Sequence, residues 1–265
     1  MGATTTNTAR RMVALAGGLV LATACVLDVA AAQPAAQLPF GVGERMTYTA
    51  RVARMGKVGT AVMRVDGPED VRGTAAYVLS FDFSARVGPV KAVDNTKSWF
   101  DPQRMAALRF YKHERHPLAR HDERVELFPG ERRWEGSEGA GGYSPTDEPL
   151  DELSFMFYIR TLALVPDTTY TFSRHFDAAR SPTSLRVVKH EQLSTPAGDF
   201  ATVLVELRVK DPRRYKGTGV IRINLSDDAQ RVPVRIESAM PVIGTAVLTL
   251  DSYTAPAQRL VAGHF

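Results

Sequence analysis

The sequence predicts a mainly β protein: one large antiparallel, meandering sheet curled into a partial barrel, with a single short helix near residues 150–164. Two observations carry the sheet and a third carries the helix. Apolar and polar side chains alternate with period two in one run after another, the pattern of strands with one packed and one wet face. Glycine, proline and aspartate turn signatures separate those runs at short spacing. From Leu150 to Leu164 the period changes and the apolar positions fall at helical offsets instead.

The chain opens on a leader. Arg10 and Arg11 precede an almost uncharged apolar run from Met12 to Leu27, and Ala30-Ala31-Ala32 stand before Gln33. This is the anatomy of a secretory signal peptide spanning residues 1–32, cut after Ala32, so an exported, periplasmic or extracellular protein is expected. The run is short for a permanent membrane span, which needs about twenty residues. Cys25 follows Leu21-Ala22-Thr23-Ala24, loosely like a lipidation motif, and a lipid anchor at Cys25 is the alternative. Residues 33–38 read as a short disordered lead, 39–255 as a single β-rich domain and 256–265 as a C-terminal tail.

The strands follow in order. Met46, Tyr48, Ala50 and Val52 share one face of the first, and Tyr77, Leu79, Phe81 and Phe83 one face of a later one. His113, His116 and His121 lie close together beside Glu114 and Asp122. Imidazole and carboxylate are good metal ligands. On a strand, however, residues 113 and 116 face opposite sides, and Pro117 breaks the run. A polar, solvent-exposed hairpin without metal is expected. Gly136 to Gly142 reads as a mobile loop.

In the helical stretch Leu150, Leu153, Phe157 and Tyr158 share one face, and Asp147, Asp151 and Glu152 near its start complement the positive helix end. Pro166 is expected to stop a helix that packs on, or plugs, the sheet. Beyond it, Thr195-Pro196-Ala197-Gly198 has the type I turn signature. Ala201, Val203, Val205, Leu207 and Val209 alternate with mostly polar neighbours. Ile221, Ile223 and Leu225 repeat the pattern, Ser226-Asp227-Asp228-Ala229 turns the chain, and Val232, Val234 and Ile236 continue it. The spacing suggests about ten or more strands, and curling such a sheet removes exposed edges.

Composition narrows the function classes. The formal charge is +4, and losing Arg10, Arg11 and Asp28 with the leader lowers it by one. The densest basic stretch, Lys210 to Lys216, is interrupted by Asp211 and Pro212, so the clustered cations that nucleic acid requires are missing. Cys25 is the sole cysteine. Cleavage after Ala32 leaves none, which excludes disulfides, thiol nucleophiles and cysteine-zinc sites. No nucleophile elbow, phosphate loop, dinucleotide fingerprint or zinc-protease motif occurs, so no catalytic residue and no cofactor is assigned.

Several ordered motifs have a family look. Pro39-Phe40-Gly41-Val42-Gly43-Glu44 with Tyr48 comes first, then Phe100-Asp101-Pro102. Pro149-Leu150-Asp151 leads into Tyr158-Ile159-Arg160-Thr161-Leu162. Thr195-Pro196-Ala197-Gly198-Asp199-Phe200 and Leu225 to Val234 complete the set. Together, from about Pro39 to Tyr253, they resemble the bacterial exported family named only as domain of unknown function 3108 (DUF3108). The resemblance implies a predominantly antiparallel, barrel-like envelope protein and transfers no catalytic residues.

Arg160 is the one candidate ligand-binding residue. It stands between Ile159 and Leu162, and a guanidinium pointing inward must have a partner, because an unpaired buried charge is very costly. Glu191 or Asp94 is the expected partner in a structural pair; the alternative is an acidic headgroup or carboxylate ligand. Thr195, Pro196, Gly198, Asp227, Asp228, Arg231 and Pro233 read as turn-forming structural residues, with Arg231 the local ion-pair partner of the two aspartates. The leading expectation is a non-enzymatic binding or chaperone module for an apolar or amphipathic envelope ligand such as a lipid, since a half-open barrel offers an apolar concavity. The alternative is a structural or interaction protein with a filled core and an envelope protein partner; a glycan or cell-wall hydrolase comes third. Neither nucleic acid nor a membrane span after cleavage is expected.

Overall fold

The structure is a computed structural model that describes residues 38–53, 55–116, 119–211, 217–240 and 244–257. The leader, Cys25 and residues 258–265 lie outside the described residues.

The first half of the domain contributes β1 (Arg45–Val52), β2 (Gly56–Val71), β3 (Thr74–Val87), β4 (Val90–Asp101), β5 (Ala106–His116), β6 (Ala119–Phe128), β7 (Arg133–Gly136) and β8 (Gly141–Tyr143). Helix α1 (Glu152–Tyr158) follows. The second half contributes β9 (Thr169–Phe172), β10 (Thr183–Thr195), β11 (Gly198–Lys210), β12 (Thr218–Ser226), β13 (Pro233–Met240) and β14 (Gly244–Thr254). All join one antiparallel sheet in the order β8-β7-β6-β5-β4-β3-β2-β1-β14-β13-β12-β11-β10-β9. Chain neighbours are therefore sheet neighbours, except β8 and β9, which end up at the two edges. The first and last strands pair in the middle, with Met46 opposite Tyr253 and Ala50 opposite Leu248.

The sheet is open, and its two edges are the three-residue β8 and the four-residue β9. Strands this short offer little ladder to a stray partner. The sheet curls, because one apolar cluster gathers Ala61, Met63 and Leu79 from one wing with Leu185, Val203 and Leu207 from the other. α1 lies in the segment joining the two edges, and its Leu153 and Phe157 enter that cluster together with Phe40, Leu150 and Ile159. Each of these five side chains is at most 5% exposed. Burying a side chain of this size stabilises by about 1.5–3 kcal/mol, so the helix is a packed plug rather than a loose cover.

Two expectations need correction. Gly136 to Gly142 is not a free loop: it spans the end of β7, a 3-10 turn (Ser137–Gly139) and edge strand β8. The helix is shorter than residues 150–164, because a 3-10 turn at Ile159–Thr161 tightens its end and Leu162 is already extended. That turn aims Arg160 inward well before Pro166. The start is as the sequence suggests: the Asp151 side chain accepts from the Leu153 and Ser154 amides, and the Ser154 hydroxyl accepts from the Asp151 amide, a reciprocal cap. Among the described residues no helix is long and apolar enough to cross a membrane.

Candidate functional site

α1 is fastened at both ends by buried charge. At its C-terminal end, Arg160 donates from Nη1 to Glu44 Oε2 at 2.9 Å and from Nη2 to Glu44 Oε1 at 2.7 Å. Both side chains are essentially inaccessible, at 1% and 0% exposure. Nη2 also reaches the carbonyls of Pro39 and Gln230, each at 2.8 Å. The guanidinium lies over the rings of Phe40 and Phe157, 5.3 and 5.5 Å from their centroids. A planar fork with several donors suits such a site better than an ammonium would. Tyr253 donates to Glu44 Oε1 at 3.2 Å, and Tyr48 donates to the Pro233 carbonyl at 2.9 Å. Burial, aided by the Glu44 charge, pushes the Tyr253 phenol well above its usual range, and burial does the same to Tyr48.

Backbone geometry prepares this clasp. In the β12–β13 turn, Asp228 Oδ1 accepts from the Gln230 and Arg231 amides at 3.0 and 3.1 Å and from the Ser226 hydroxyl at 2.7 Å. Arg231 sits in the left-handed region at φ 48° and pairs with Asp227 at 2.7 Å. The turn so held presents the Gln230 carbonyl to Arg160 and leads into Pro233, whose carbonyl meets Tyr48.

At the other end of α1, Asp151 Oδ2 accepts from the Ser98 hydroxyl at 2.5 Å. Burial raises the Asp151 carboxyl to about 6, against the lowering pull of the Ser98 and Ser154 hydrogen bonds. Glu152 joins Lys112 on β5 to Arg180, which also meets Asp211 just beyond β11 at 3.4 Å. Burial lowers the Arg180 pKa, but the Glu152 and Asp211 carboxylates outweigh it and the net direction is upward. This chain of charges ties β5 in one wing, through the helix, to the end of β11 in the other.

The sequence-selected residues fall as follows. Arg160 is in the clasp, paired with Glu44 instead of Glu191 or Asp94. Glu191 instead binds Lys189 and Asn224, and Asp94 accepts from Thr96. All the N–H groups of Arg160 named above point at protein atoms. Asp227, Asp228, Arg231 and Pro233 form the turn that supports it. Thr195, Pro196 and Gly198 lie elsewhere, in a two-residue hairpin loop in which Thr195 is paired with Gly198 and the Thr195 hydroxyl accepts from the Ala197 amide. His113 faces outward and pairs with Asp122 at 2.6 Å, while His121 contacts Glu123 at 2.9 Å. Among the described residues no group of three or more His, Cys, Asp and Glu side chains is placed to hold a metal ion.

Sequence reasoning named Glu44 only within a family motif, Glu152 only as an acid at the helix start and Asp211 only as a break in a basic run, and it did not name Lys112 or Arg180. Two of them carried a readable signal. Glu44, just before β1, is in phase with Met46 and Tyr48, and Lys112 on β5 with Phe110, so each is a charge in line with the buried face of an alternating strand.

The model of the family described as protein of unknown function (DUF3108) matches residues 45–251. No curated protein matches the chain by sequence at a significant level. Among solved structures, a β-barrel-like protein of domain of unknown function DUF1849 from Brucella abortus is 12% identical with a TM-score of 0.57, covering 82% of this chain and 99% of that one. A protein provisionally described as a lipoprotein from Parabacteroides distasonis and one provisionally described as exported, with a YmcC-like fold, from Bacteroides fragilis are each 13% identical. Both cover 82% of this chain and 98% of their own, with a TM-score of 0.32. The first similarity shows a shared barrel-like fold; the other two are too distant in shape to carry an argument.

Proposed function

From the premise that the chain belongs to the DUF3108 family, whose description assigns no activity, we propose a non-enzymatic, exported envelope protein. In this reading it acts through its outer surfaces around a filled core. One observation carries the proposal. The inner face of the sheet, where a carrier would hold its guest, is covered by Phe40, Leu150, Leu153, Phe157 and Ile159. The interior charges support it further, because Lys112, Glu152, Arg180 and Asp211 engage one another and Arg160 engages Glu44. A catalytic carboxylate or base would have to be left facing a cleft instead. Export rests on the leader sequence before Gln33.

One observation favours the alternative, a lipid-binding module. Phe155, Tyr158, Tyr170 and Phe172 form a half-buried aromatic group beside edge strand β9, with ring centroids 5.5–6.1 Å apart. Such a surface suits an apolar guest. Native mass spectrometry of the mature protein, isolated gently from its own envelope, separates the readings. The filled-core reading expects the bare polypeptide mass; a stoichiometric adduct of lipid mass contradicts it and supports the aromatic site.

A further inference from the structure

The end of the sheet away from the Glu44–Arg160 clasp carries a surface of a different kind. The hairpins β1–β2 and β3–β4 both turn there. In the first, Arg51 is the register partner of Lys57; in the second, Arg86 is the register partner of Lys91. All four are exposed. Like charges directly opposite on neighbouring strands repel, and here the repulsion occurs twice in adjacent hairpins. The two hairpins carry no carboxylate of their own near the tips: the sequence has no Asp or Glu between Glu44 and Asp66, nor between Asp82 and Asp94. Glu237, two strands from Arg51 on β13, is engaged by Arg235 and Arg222. Just beyond the cation pairs, large apolar side chains are left exposed, Met55 at 51%, Val87 at 44% and Val90 at 43%.

Paired cations beneath an apolar tip match a membrane interface, where ammonium and guanidinium groups meet anionic headgroups and short apolar side chains dip below them. We infer that the tips of the β1–β2 and β3–β4 hairpins dock on an anionic lipid bilayer through Arg51, Lys57, Arg86 and Lys91, with Met55, Val87 and Val90 entering the interface. This goes beyond the filled-core reading and stands without it, because the tips lie outside the core. An acidic protein partner would satisfy the cations but leave the apolar tips without a role.

The test is flotation of the mature protein with phosphatidylcholine vesicles, with and without phosphatidylglycerol, across a salt series. Binding is expected to require phosphatidylglycerol and to weaken as salt screens the charges. Each of Lys57→Gln, Arg86→Gln and Lys91→Gln is expected to weaken it by about fivefold, and the three together by about a hundredfold. Arg104→Gln, at the opposite end, leaves it unchanged. Val87→Ser with Val90→Ser is also expected to weaken it. No flotation with phosphatidylglycerol, or equal flotation without it, overturns the inference. So does binding that survives the triple charge variant, or that ignores the valine replacements, the latter showing adsorption by charge alone without apolar insertion.

Discussion

Glu44 and Arg160 stand 116 residues apart in the sequence and meet as a bidentate ion pair that solvent does not reach. Around them converge the lead-in to β1, the turn after α1, the β12–β13 turn and the end of β14. Most of the motifs that carry the family resemblance thus fold into one junction. The junction joins the helix to the seam where the first and last strands pair, so its role is to hold the plug in the sheet.

The two tyrosines of the junction should rank differently. Tyr48 is fully buried, and replacing it with Phe leaves the Pro233 carbonyl without its donor; urea unfolding should show a loss of about 1–3 kcal/mol. Tyr253 is only part-buried and its bond to Glu44 is longer, so Tyr253→Phe should cost less than Tyr48→Phe.

Asp151 should give stability an unusual pH dependence. Its folded pKa of about 6 lies above the ordinary 3.8 because burial disfavours the charge. A raised folded value means that its stabilising contribution is full below about pH 3.8 and is lost as pH rises through about 6, a difference of about 3 kcal/mol. Asp122, Asp227 and Glu191 act in the opposite sense, since hydrogen bonds to their cations hold their pKa values down. Asp151→Asn keeps a good cap and isolates the effect. The stability of the variant relative to the native protein should rise between pH 4 and pH 7, and a flat difference would contradict the assignment.

Lys112 is a buried cation facing Glu152 and Glu114, with 4% of its side chain exposed. Lys112→Met removes the charge that those carboxylates face and should cost about 3–5 kcal/mol in chemical denaturation. Arg208, 61% exposed and paired with Glu206, provides the contrast: Arg208→Ala should shift stability by less than about 0.5 kcal/mol.

Much of this architecture was legible because period two is a local signal. Met46 through Val52 and Ala201 through Val209 announce their strands without help from the rest of the chain. The Gly136–Gly142 segment misled for a physical reason. Its glycines are there for close approach as well as for turning: a Cβ on Gly142 would lie 3.2 Å from the Trp134 indole nitrogen. The partner of Arg160 is a different matter. An acid in phase with Met46 and Tyr48 marks Glu44 as inward-facing, but only the curl of the sheet decides which inward-facing charges meet. The same holds for the Lys112–Glu152–Arg180–Asp211 chain, whose members come from four separate parts of the fold.

Gly59 is a second case of close approach. A Cβ there would fall 2.0 Å from the Ser84 carbonyl oxygen, so Gly59→Ala should disturb β2–β3 pairing and cost about 1–3 kcal/mol or more. Gly73 has nothing within 4 Å and only a positive φ of 82°; Gly73→Ala should cost about 1–2 kcal/mol. Amide exchange in β3 should speed up for the first variant and not for the second.

The most direct test of the plugged, clasped core is a double-mutant cycle in urea unfolding with Glu44→Gln, Arg160→Met and the combined variant. The expected result is a loss of about 3–5 kcal/mol for each single replacement, with the pair costing far less than their sum because neither charge is left alone. Small, additive losses of about 0.5 kcal/mol or less would show that the pair does not hold the helix, and would contradict the account.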